Sequence, residues 1–291
     1  MNAQSSVRAS LWMIGAIVAF TSMAIAGRAA ILELDTFEIM LFRSLIGLAI
    51  VLVVAKFAGT LGDVQTARLG LHVVRNASHF MGQNLWFFAI SVAPLAHIFA
   101  MEFTSPIWSM FLATIILGEA LTKMRVGSAL VGFVGVLIVT QPWQIDISVG
   151  VIAGAIAAIG FAGSAVTTRL LTRHEKITSI MFWLTSMQCV FGLICAGFDG
   201  DIALPSLAAL PWVIVIALAG LLAHFCLTKA LSLAPAAVVM PVDFARLPII
   251  ALVGLWLYGE SLEPLVLVGA AIIFAANYVL IRHEHRQSRA T

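Results

Sequence analysis

The sequence is poor in charged residues, which make up only 10% of its 291 residues, while 62% are hydrophobic. A soluble globular chain is typically about 25% charged and about 45–50% apolar. A soluble core cannot hide this much apolar surface, whereas a surface in contact with lipid does not need to hide it. The composition therefore excludes an ordinary soluble domain and predicts an all-α membrane protein.

Cysteine is also scarce, and all three cysteines lie inside apolar stretches (Cys189, Cys195, Cys226). An odd number at such positions gives no disulfide framework. The His-Glu-x-x-His pattern of a zinc protease is missing from the sequence, and we expect neither a metal nor a cofactor. The sequence His283-Glu284-His285 is expected to be a flexible, solvated tail. The expected partners are the lipid bilayer and a small molecule, without nucleic acid.

Ten apolar runs follow one another along the chain, each close to the roughly 20 residues that a membrane-spanning helix needs. The predicted spans are 9–27, 37–57, 70–91, 95–118, 124–141, 149–171, 178–197, 210–231, 236–258 and 264–282. The first run, preceded by Arg8, resembles a cleavable signal peptide. The internal repeat described below argues that this run is retained as the first span.

Positive charges are distributed very unevenly between the loops. If loops are assigned alternately from a cytoplasmic N-terminus, thirteen of the 16 Lys and Arg residues fall on the cytoplasmic side. Only Arg28 falls on the other side, where the loops instead carry acids (Glu33, Asp35, Glu38, Asp146, Asp199, Asp201, Glu260, Glu263). Since Lys and Arg are enriched in cytoplasmic loops, this bias predicts a multi-pass inner-membrane protein with both termini in the cytoplasm.

The two halves of the chain resemble each other at a spacing of 141 residues. Matched segments at this spacing are 89–94 with 230–235, 102–103 with 243–244, and 118–119 with 259–260; 15–17 matches 154–156 at a spacing of 139. Chance similarity between apolar helices is common, but an ungapped spacing that covers Pro, Gly and acidic positions argues against chance. The pattern predicts two five-span repeats, residues 1–143 and 144–291.

An odd number of spans makes the second repeat enter the membrane from the opposite side, so the repeats are predicted to be inverted around a central cavity. Two such repeats, each ending its fourth span with Leu117-Gly118-Glu119 or Tyr258-Gly259-Glu260, resemble the EamA-type drug/metabolite transporter superfamily. The resemblance covers nearly the whole chain and extends to the YddG-like aromatic amino-acid exporter branch. It implies that spans one, three, four, six, eight and nine line the cavity, with spans five and ten packed behind.

Four ionisable residues lie well inside the spans, where each costs about 2.5–3.5 kcal/mol on insertion scales. They are Arg43, Glu102, Asp243 and Arg246. Asp243 and Arg246 are three residues apart and share a face of span nine, while Arg43 and Glu102 are candidates for a second pair across spans two and four. These charges form either a substrate or proton site or a structural set that holds the helices in register, and the sequence leaves both interpretations open.

Prolines accompany the intramembrane acids. Pro106, Pro241 and Pro248 lie in spans four and nine, where proline removes a helical hydrogen bond and bends the helix. Broken helices at this depth often mark transporter sites, although an ordinary kink is the commoner outcome.

Span three carries a polar stripe at helical spacing, formed by Arg75, His79, Gln83 and Trp86, and Gln83 corresponds to His224 at the repeat spacing. Two related helices would then offer polar groups to one cavity, although hydrogen bonding between helices is the simpler alternative. Aromatic side chains near the acids complete the expected lining. The predicted cavity residues are His79, Gln83, Trp86, Glu102, Trp108, His224, Asp243, Phe244 and Arg246.

This lining suits a small solute that has an amine, a carboxylate and an apolar or aromatic side chain. We therefore expect a secondary transporter that exports small metabolites, above all amino acids including aromatic ones, by alternating access. The alternatives are a carrier of drugs or other metabolites, such as nucleosides, sugars or cations, and an intramembrane enzyme. The sequence predicts no catalytic residue and leaves monomer and dimer open.

Overall fold

The computed structural model describes residues 3–93, 95–144, 147–198, 200–258 and 264–290, and all regular structure in these residues is helical. Several residues singled out in the sequence lie outside these ranges (Pro94, Asp146, Asp199, Gly259, Glu260, Glu263). The helices are α1 (Ala3–Ala30), α2 (Thr36–Phe57), α3 (Leu69–Val92), α4 (Leu95–Glu102), α5 (Ser105–Leu117), α6 (Lys123–Thr140), α7 (Val149–Leu171), α8 (Ile177–Ala196), α9 (Leu210–Leu233), α10 (Ala236–Val239), α11 (Arg246–Tyr258) and α12 (Pro264–Ala290).

The helices follow the predicted spans, two of which are broken. The fourth span is divided into α4 and α5, and the ninth into α10, a 3-10 segment over Met240–Ala245, and α11. By length and composition, seven helices of the described ranges suffice to cross a membrane: α1, α2, α6, α7, α8, α9 and α12. With 24 residues, α3 is long enough but carries the polar stripe. A multi-helical membrane protein is thus established, and ten crossings remain a prediction.

The helix breaks occur near the intramembrane acids, as the prolines predicted. Pro106 lies in the first turn of α5, where a missing N–H costs no helical hydrogen bond. Pro241 lies in the 3-10 segment, and Pro248 in the first turn of α11. Gly118 then ends α5 with φ of 66°, a left-handed conformation that residues with a Cβ rarely adopt.

Helix packing repeats itself when the two halves are exchanged. The main partners are α1 with α9, α3 with α7, α2 with α8, and α6 with α12. The counterparts in the two halves are α1 and α7, α2 and α8, α3 and α9, and α6 and α12. Exchanging the halves therefore turns the α1–α9 pair into the α7–α3 pair, and it leaves the α2–α8 and α6–α12 pairs unchanged. The bundle therefore has the packing expected of two related five-segment units, with α6 and α12 together at the back.

The crossing of α3 and α7 depends on two glycines in van der Waals contact. A Cβ on Gly160 would lie 2.8 Å from the carbonyl oxygen of Ser78 and 3.0 Å from Cα of Gly82. A Cβ on Gly82 would lie 3.0 Å from the ring of Phe161. Close approach through small residues is the usual means of helix association in membranes, where no hydrophobic effect drives helices together.

The chain end differs from the sequence expectation. Instead of forming a flexible tail, residues 283–285 continue α12, which runs to Ala290. Glu284 is only 3% exposed, and its Oε1 accepts from Nε of Arg125 at 2.8 Å. The second oxygen accepts from Nη2 of the same arginine at 3.0 Å. This bidentate pair gives the last turns of α12 a partner on α6, which sequence periodicity cannot reveal.

We expect Gly160→Ala to destabilise the protein, because its methyl group meets backbone atoms that cannot move aside as a flexible side chain would. Overpacking of this kind costs about 1–3 kcal/mol. Thermal unfolding in detergent, followed by tryptophan fluorescence, measures the effect. Gly163→Ala is the matched control on the same helix, because its Cβ would lie 3.4 Å from Oγ of Ser78, an ordinary contact. Equal losses in the two variants would contradict the close crossing.

Candidate functional site

A central cavity lies among the broken helices. Its lining comes from α1, α3, α4, α5, α7, α9, the 3-10 segment and α11, which belong to spans one, three, four, six, eight and nine. The space measures about 780 Å³, including adjoining open solvent. The lining side chains are Met13, Phe20, Met23, His79, Gln83, Trp86, Glu102, Ser105, Phe161, Ser164, Ala165, His224, Leu227, Met240, Asp243 and Arg246.

Most of the lining comes in pairs of residues 141 positions apart. These pairs are Phe20 with Phe161, Met23 with Ser164, Gln83 with His224, Trp86 with Leu227, Glu102 with Asp243, and Ser105 with Arg246. Corresponding residues of two related units meet at one place only if that place lies on the axis that relates the units. The cavity is therefore built symmetrically in position, although several pairs differ in chemistry.

The pairing also corrects one sequence match. Residues 15–17 resemble 154–156 at a spacing of 139, but α1 and α7 line the cavity through residues 141 positions apart. Both helices are unbroken, and two extra residues in a helix would turn its face by about 200°. The match at 139 is therefore a coincidence of small apolar residues.

An ion cluster links the two halves across the cavity. Nη2 of Arg246 donates to Oε1 of Glu102 and to Oδ2 of Asp243 at 2.9 Å. The other oxygen of Glu102 accepts from Nε1 of Trp86 at 2.6 Å. Two carboxylates thus share one guanidinium, and the cluster carries a net charge of −1 when all three groups are ionised.

Aromatic rings hold the guanidinium in place. Cζ of Arg246 lies 5.4 Å from the ring centre of Phe20 and 5.2 Å from that of Phe103. A cation over an aromatic face is attracted by the ring quadrupole, and the attraction grows when water is excluded. Arg246 is 6% exposed, so its guanidinium is held by these rings and the two carboxylates with little contact with solvent.

Several buried polar atoms at the cavity have no hydrogen-bond partner in the protein. The rings of His79 and His224 stand edge to face, with centres 4.5 Å apart. The unpartnered atoms are Nε2 of His79, Nδ1 and Nε2 of His224, Oε1 of Gln83, Oγ of Ser105, Oδ1 of Asp243 and Nε of Arg246. An unsatisfied buried polar group costs about 1–3 kcal/mol. The cavity thus offers donors and acceptors to water or to a polar ligand.

Two predicted cavity residues face elsewhere. Trp108 is 43% exposed and lies outside the lining, because the buried face of α5 runs through Ser105, Ser109 and Ala113. Phe244 is buried, with its ring 6.2 Å from that of Phe103, and it packs against Gly132 of α6, behind the cavity. The other seven predicted residues line the cavity.

The suggested pair of Arg43 and Glu102 does not form. Glu102 is bound by Arg246 instead, while Nη1 of Arg43 lies 3.7 Å from the sulfur of Met23. Arg43 projects from α2, which contributes no residue to the cavity lining. The other suggested pair, Asp243 with Arg246, is present.

The sequence reasoning missed the lining residues of α1 and α7, above all Phe20, Phe161 and Ser164. Applying the repeat spacing to every position would have paired Phe20 with Phe161. The methionines that also line the cavity give no such signal, since an apolar residue in a membrane helix faces lipid or protein equally well.

A second ion cluster surrounds Glu119, the acid of the first Leu-Gly-Glu motif. Oε1 of Glu119 lies 3.3 Å from Nε of Arg169 and 3.9 Å from Nη2 of Arg173. Its Oε2 accepts from the backbone N–H of Ala237 at 3.5 Å, and Arg169 also donates to the carbonyl of Leu231. The cluster joins the end of α5 in the first half to α7, α9 and α10 in the second.

We expect Arg246→Gln to be the most destabilising change in the central cluster, because it leaves two buried carboxylates without their cation. Removing one partner of a buried ion pair costs about 3–5 kcal/mol. The triple variant Glu102→Gln, Asp243→Asn, Arg246→Gln should recover most of the loss, since no charge remains. Thermal unfolding in detergent provides the measurement.

The control is Arg43→Gln added to Glu102→Gln, which should bring no recovery because these residues are not paired. Recovery in that double variant, or a triple variant as unstable as Arg246→Gln alone, would contradict the cluster.

Comparison with known proteins agrees with this architecture. A model of the EamA-like transporter family matches the chain twice, at residues 7–141 and 148–282. A riboflavin transporter of Brucella anthropi is 31% identical over 78% of this chain and 81% of its own length. An S-adenosylmethionine uptake transporter of Rickettsia bellii is 25% identical over 94% of each chain.

Two further likenesses extend over the whole chain. A riboflavin transporter of Vibrio cholerae is 26% identical over 97% of this chain and 96% of its own. A solved crystal structure shares the fold with a TM-score of 0.81, at 15% identity and 99% coverage of both chains. With two family matches that together cover nearly all of its residues, the chain belongs to the EamA-like transporter family.

Proposed function

We propose that this protein is an inner-membrane carrier that moves a ring-bearing polar metabolite by alternating access, with ten spans and both termini in the cytoplasm. The observation that carries the proposal is the central cavity, whose lining is supplied in pairs by two related halves. A site on the axis between two similar units can open to either side when the units exchange conformations.

The aromatic and imidazole lining favours a flat ring in the substrate. Phe20, Phe161 and Trp86 supply apolar faces, and His79 and His224 stand beside them with unpartnered nitrogens. Riboflavin and S-adenosylmethionine, the molecules for which the relatives are named, both contain a fused heteroaromatic ring with hydrogen-bonding edges. Aromatic amino acids, the substrates expected from the sequence, share the ring but have less hydrogen-bonding capacity.

The charge of the cavity favours a substrate with a cationic group. Glu102 and Asp243 outnumber Arg246, and Oδ1 of Asp243 has no partner in the protein. An ammonium or sulfonium group near this oxygen would gain a charge-assisted contact. S-adenosylmethionine carries both groups and is the first substrate to test.

Riboflavin is the second candidate, and the specific observation in its favour is the 31% identity to the Brucella anthropi transporter. It is neutral, so it would depend on Gln83 and the histidines rather than on the acids. Variants of these two groups of residues therefore separate the candidates.

Counterflow of labelled S-adenosylmethionine, riboflavin and L-tryptophan into proteoliposomes tests the proposal without assuming a direction. We expect saturable flux of at least one of them. Trp86→Ala should lower that flux about tenfold, since stacking on an aromatic side chain is worth about 1–3 kcal/mol. Trp108→Ala is the matched control, because this tryptophan lies outside the cavity and should leave the flux unchanged. Absence of flux for all three compounds from folded protein, or equal effects of the two variants, would refute the proposal.

Alternating access requires contacts that close one side of the cavity and break when that side opens. The Glu119 cluster is our candidate for these contacts. It joins the two halves at the face predicted to be cytoplasmic. In the sequence, Arg28 and Glu260 occupy the positions of Arg169 and Glu119 in the other repeat. Glu260 lies outside the described residues, and the predicted topology assigns both residues to the opposite face. Two equivalent acid–arginine closures, one for each face, are what inverted repeats would provide.

We expect Glu119→Gln to open the cytoplasmic face, because Arg169 and Arg173 lose their shared carboxylate. A cysteine at Ser164, in a variant without native cysteines, should then react several-fold faster with an impermeant maleimide from the cytoplasmic side. The control is Arg125→Gln, which breaks the pair with Glu284 between α6 and α12, away from the cavity. If labelling rises equally in both variants, or only from the other side, the assignment of this closure is wrong.

A further inference from the structure

We propose that Arg43 is the centre of a subsite that binds the α-amino-acid head group of the transported substrate. This inference rests on the proposed function and narrows the substrate to metabolites with a free amino-acid end. It starts from the charge of Arg43, which is buried in α2 with 6% of its surface exposed. Within the described ranges, no carboxylate lies within salt-bridge distance of its guanidinium. A buried cation without an anion is costly in a membrane, so a partner of opposite charge is expected.

The guanidinium faces a small cavity of its own. This cavity lies between α2, α8 and α9 and measures about 250 Å³, including adjoining open solvent. Gly220 of α9 lies against the guanidinium, since a Cβ there would be in ordinary contact, at 3.4 Å, with Cζ and Nη2 of Arg43. The guanidinium thus lies between Gly220, the sulfur of Met23 and the small cavity.

The polar atoms around this cavity match the two ends of an amino acid. Oγ of Ser44 and Oε1 of Gln188 are buried in the lining without hydrogen-bond partners. The Gln188 amide is oriented by its Nε2, which donates to the carbonyl of Asn76 at 2.8 Å. Arg43 and the Ser44 hydroxyl can donate to a carboxylate, while the Gln188 oxygen can accept from an ammonium group.

His224 stands between this subsite and the central cavity, because it lines both. A substrate could therefore place its head group at Arg43 and its ring among the aromatic side chains beyond His224. The unpartnered nitrogens of His224 would lie between the two parts of the substrate.

Repeat symmetry argues that Arg43 is not required for packing. Its counterpart, 141 positions later, is Leu184 on α8, which lines the same small cavity. The fold accepts an apolar side chain at one of two equivalent positions. By contrast, the nearby Arg75 is satisfied within the protein, since it donates to Thr168 at 3.1 Å and to Asn76 at 2.8 Å.

The test compares ligands that differ only by the carboxylate. Thermal shift titrations of the purified full-length protein in detergent use S-adenosylmethionine against its decarboxylated analogue, and L-tryptophan against tryptamine. For at least one pair, the carboxylate form should bind about tenfold or more tightly, as charge-assisted hydrogen bonds imply. Arg43→Gln should abolish this preference, and Arg43→Lys should restore part of it. Lys56→Gln, which removes an exposed charge from the same helix, should leave the preference intact.

The outcomes separate this inference from the function on which it rests. Counterflow of riboflavin or of the amines, with no preference for a carboxylate, would overturn the subsite and leave the carrier standing. The subsite would also be overturned if chloride alone stabilised the wild type and Arg43→Gln removed this stabilisation, since the site would then hold an inorganic ion. No flux and no binding for any compound would overturn both proposals.

Discussion

The position of Arg246 between Glu102 and Asp243 is the constraint on which the centre of the protein depends. Charged groups are tolerated inside a membrane protein only when they find partners, and here the partners come from both halves of the chain. Glu102 is the last residue of α4, Asp243 lies in the 3-10 segment, and Arg246 begins α11. The cluster therefore ties together the interruptions of two helices, where unpaired backbone groups also require a polar environment.

The cavity combines a symmetric frame with asymmetric side chains. Both halves place an acid at the same position, but Arg246 corresponds to Ser105, and Trp86 corresponds to Leu227. Arg43 likewise corresponds to Leu184. Helix packing is governed by small residues and overall shape, so the two halves can diverge in the lining without losing their common fold.

The polar stripe of α3 shows how such a helix can persist in a membrane protein. His72, Arg75, Asn76, His79 and Gln83 are all buried. Arg75 donates to α7, Asn76 is hydrogen-bonded to α8, and His79 and Gln83 line the central cavity. The opposite face of α3 is apolar, with Val73, Val74 and Met81 exposed. The helix meets lipid with one face and the protein interior with the other.

The membrane class, the ten apolar segments, the breaks near the prolines and the polar stripe of α3 all follow from the order of the amino acids. Seven of the nine proposed cavity residues could be found in this way, because an ionisable or amide group inside a span has few places to go except inward. Repeat spacing carried further information, since the residue numbers are sufficient to relate Glu102 to Asp243 and Gln83 to His224.

Which charges meet, and which aromatic side chains face inward, depends on how the helices pack. Trp108 was misplaced because both sides of a membrane helix can be apolar, so periodicity does not separate the lipid face from the buried one. Arg43 was paired wrongly because the distance between spans depends on how close glycines let the helices approach, which is not encoded in either span alone. The partners of Glu119 and Glu284 lie on helices far along the chain, and only the packed bundle brings them together.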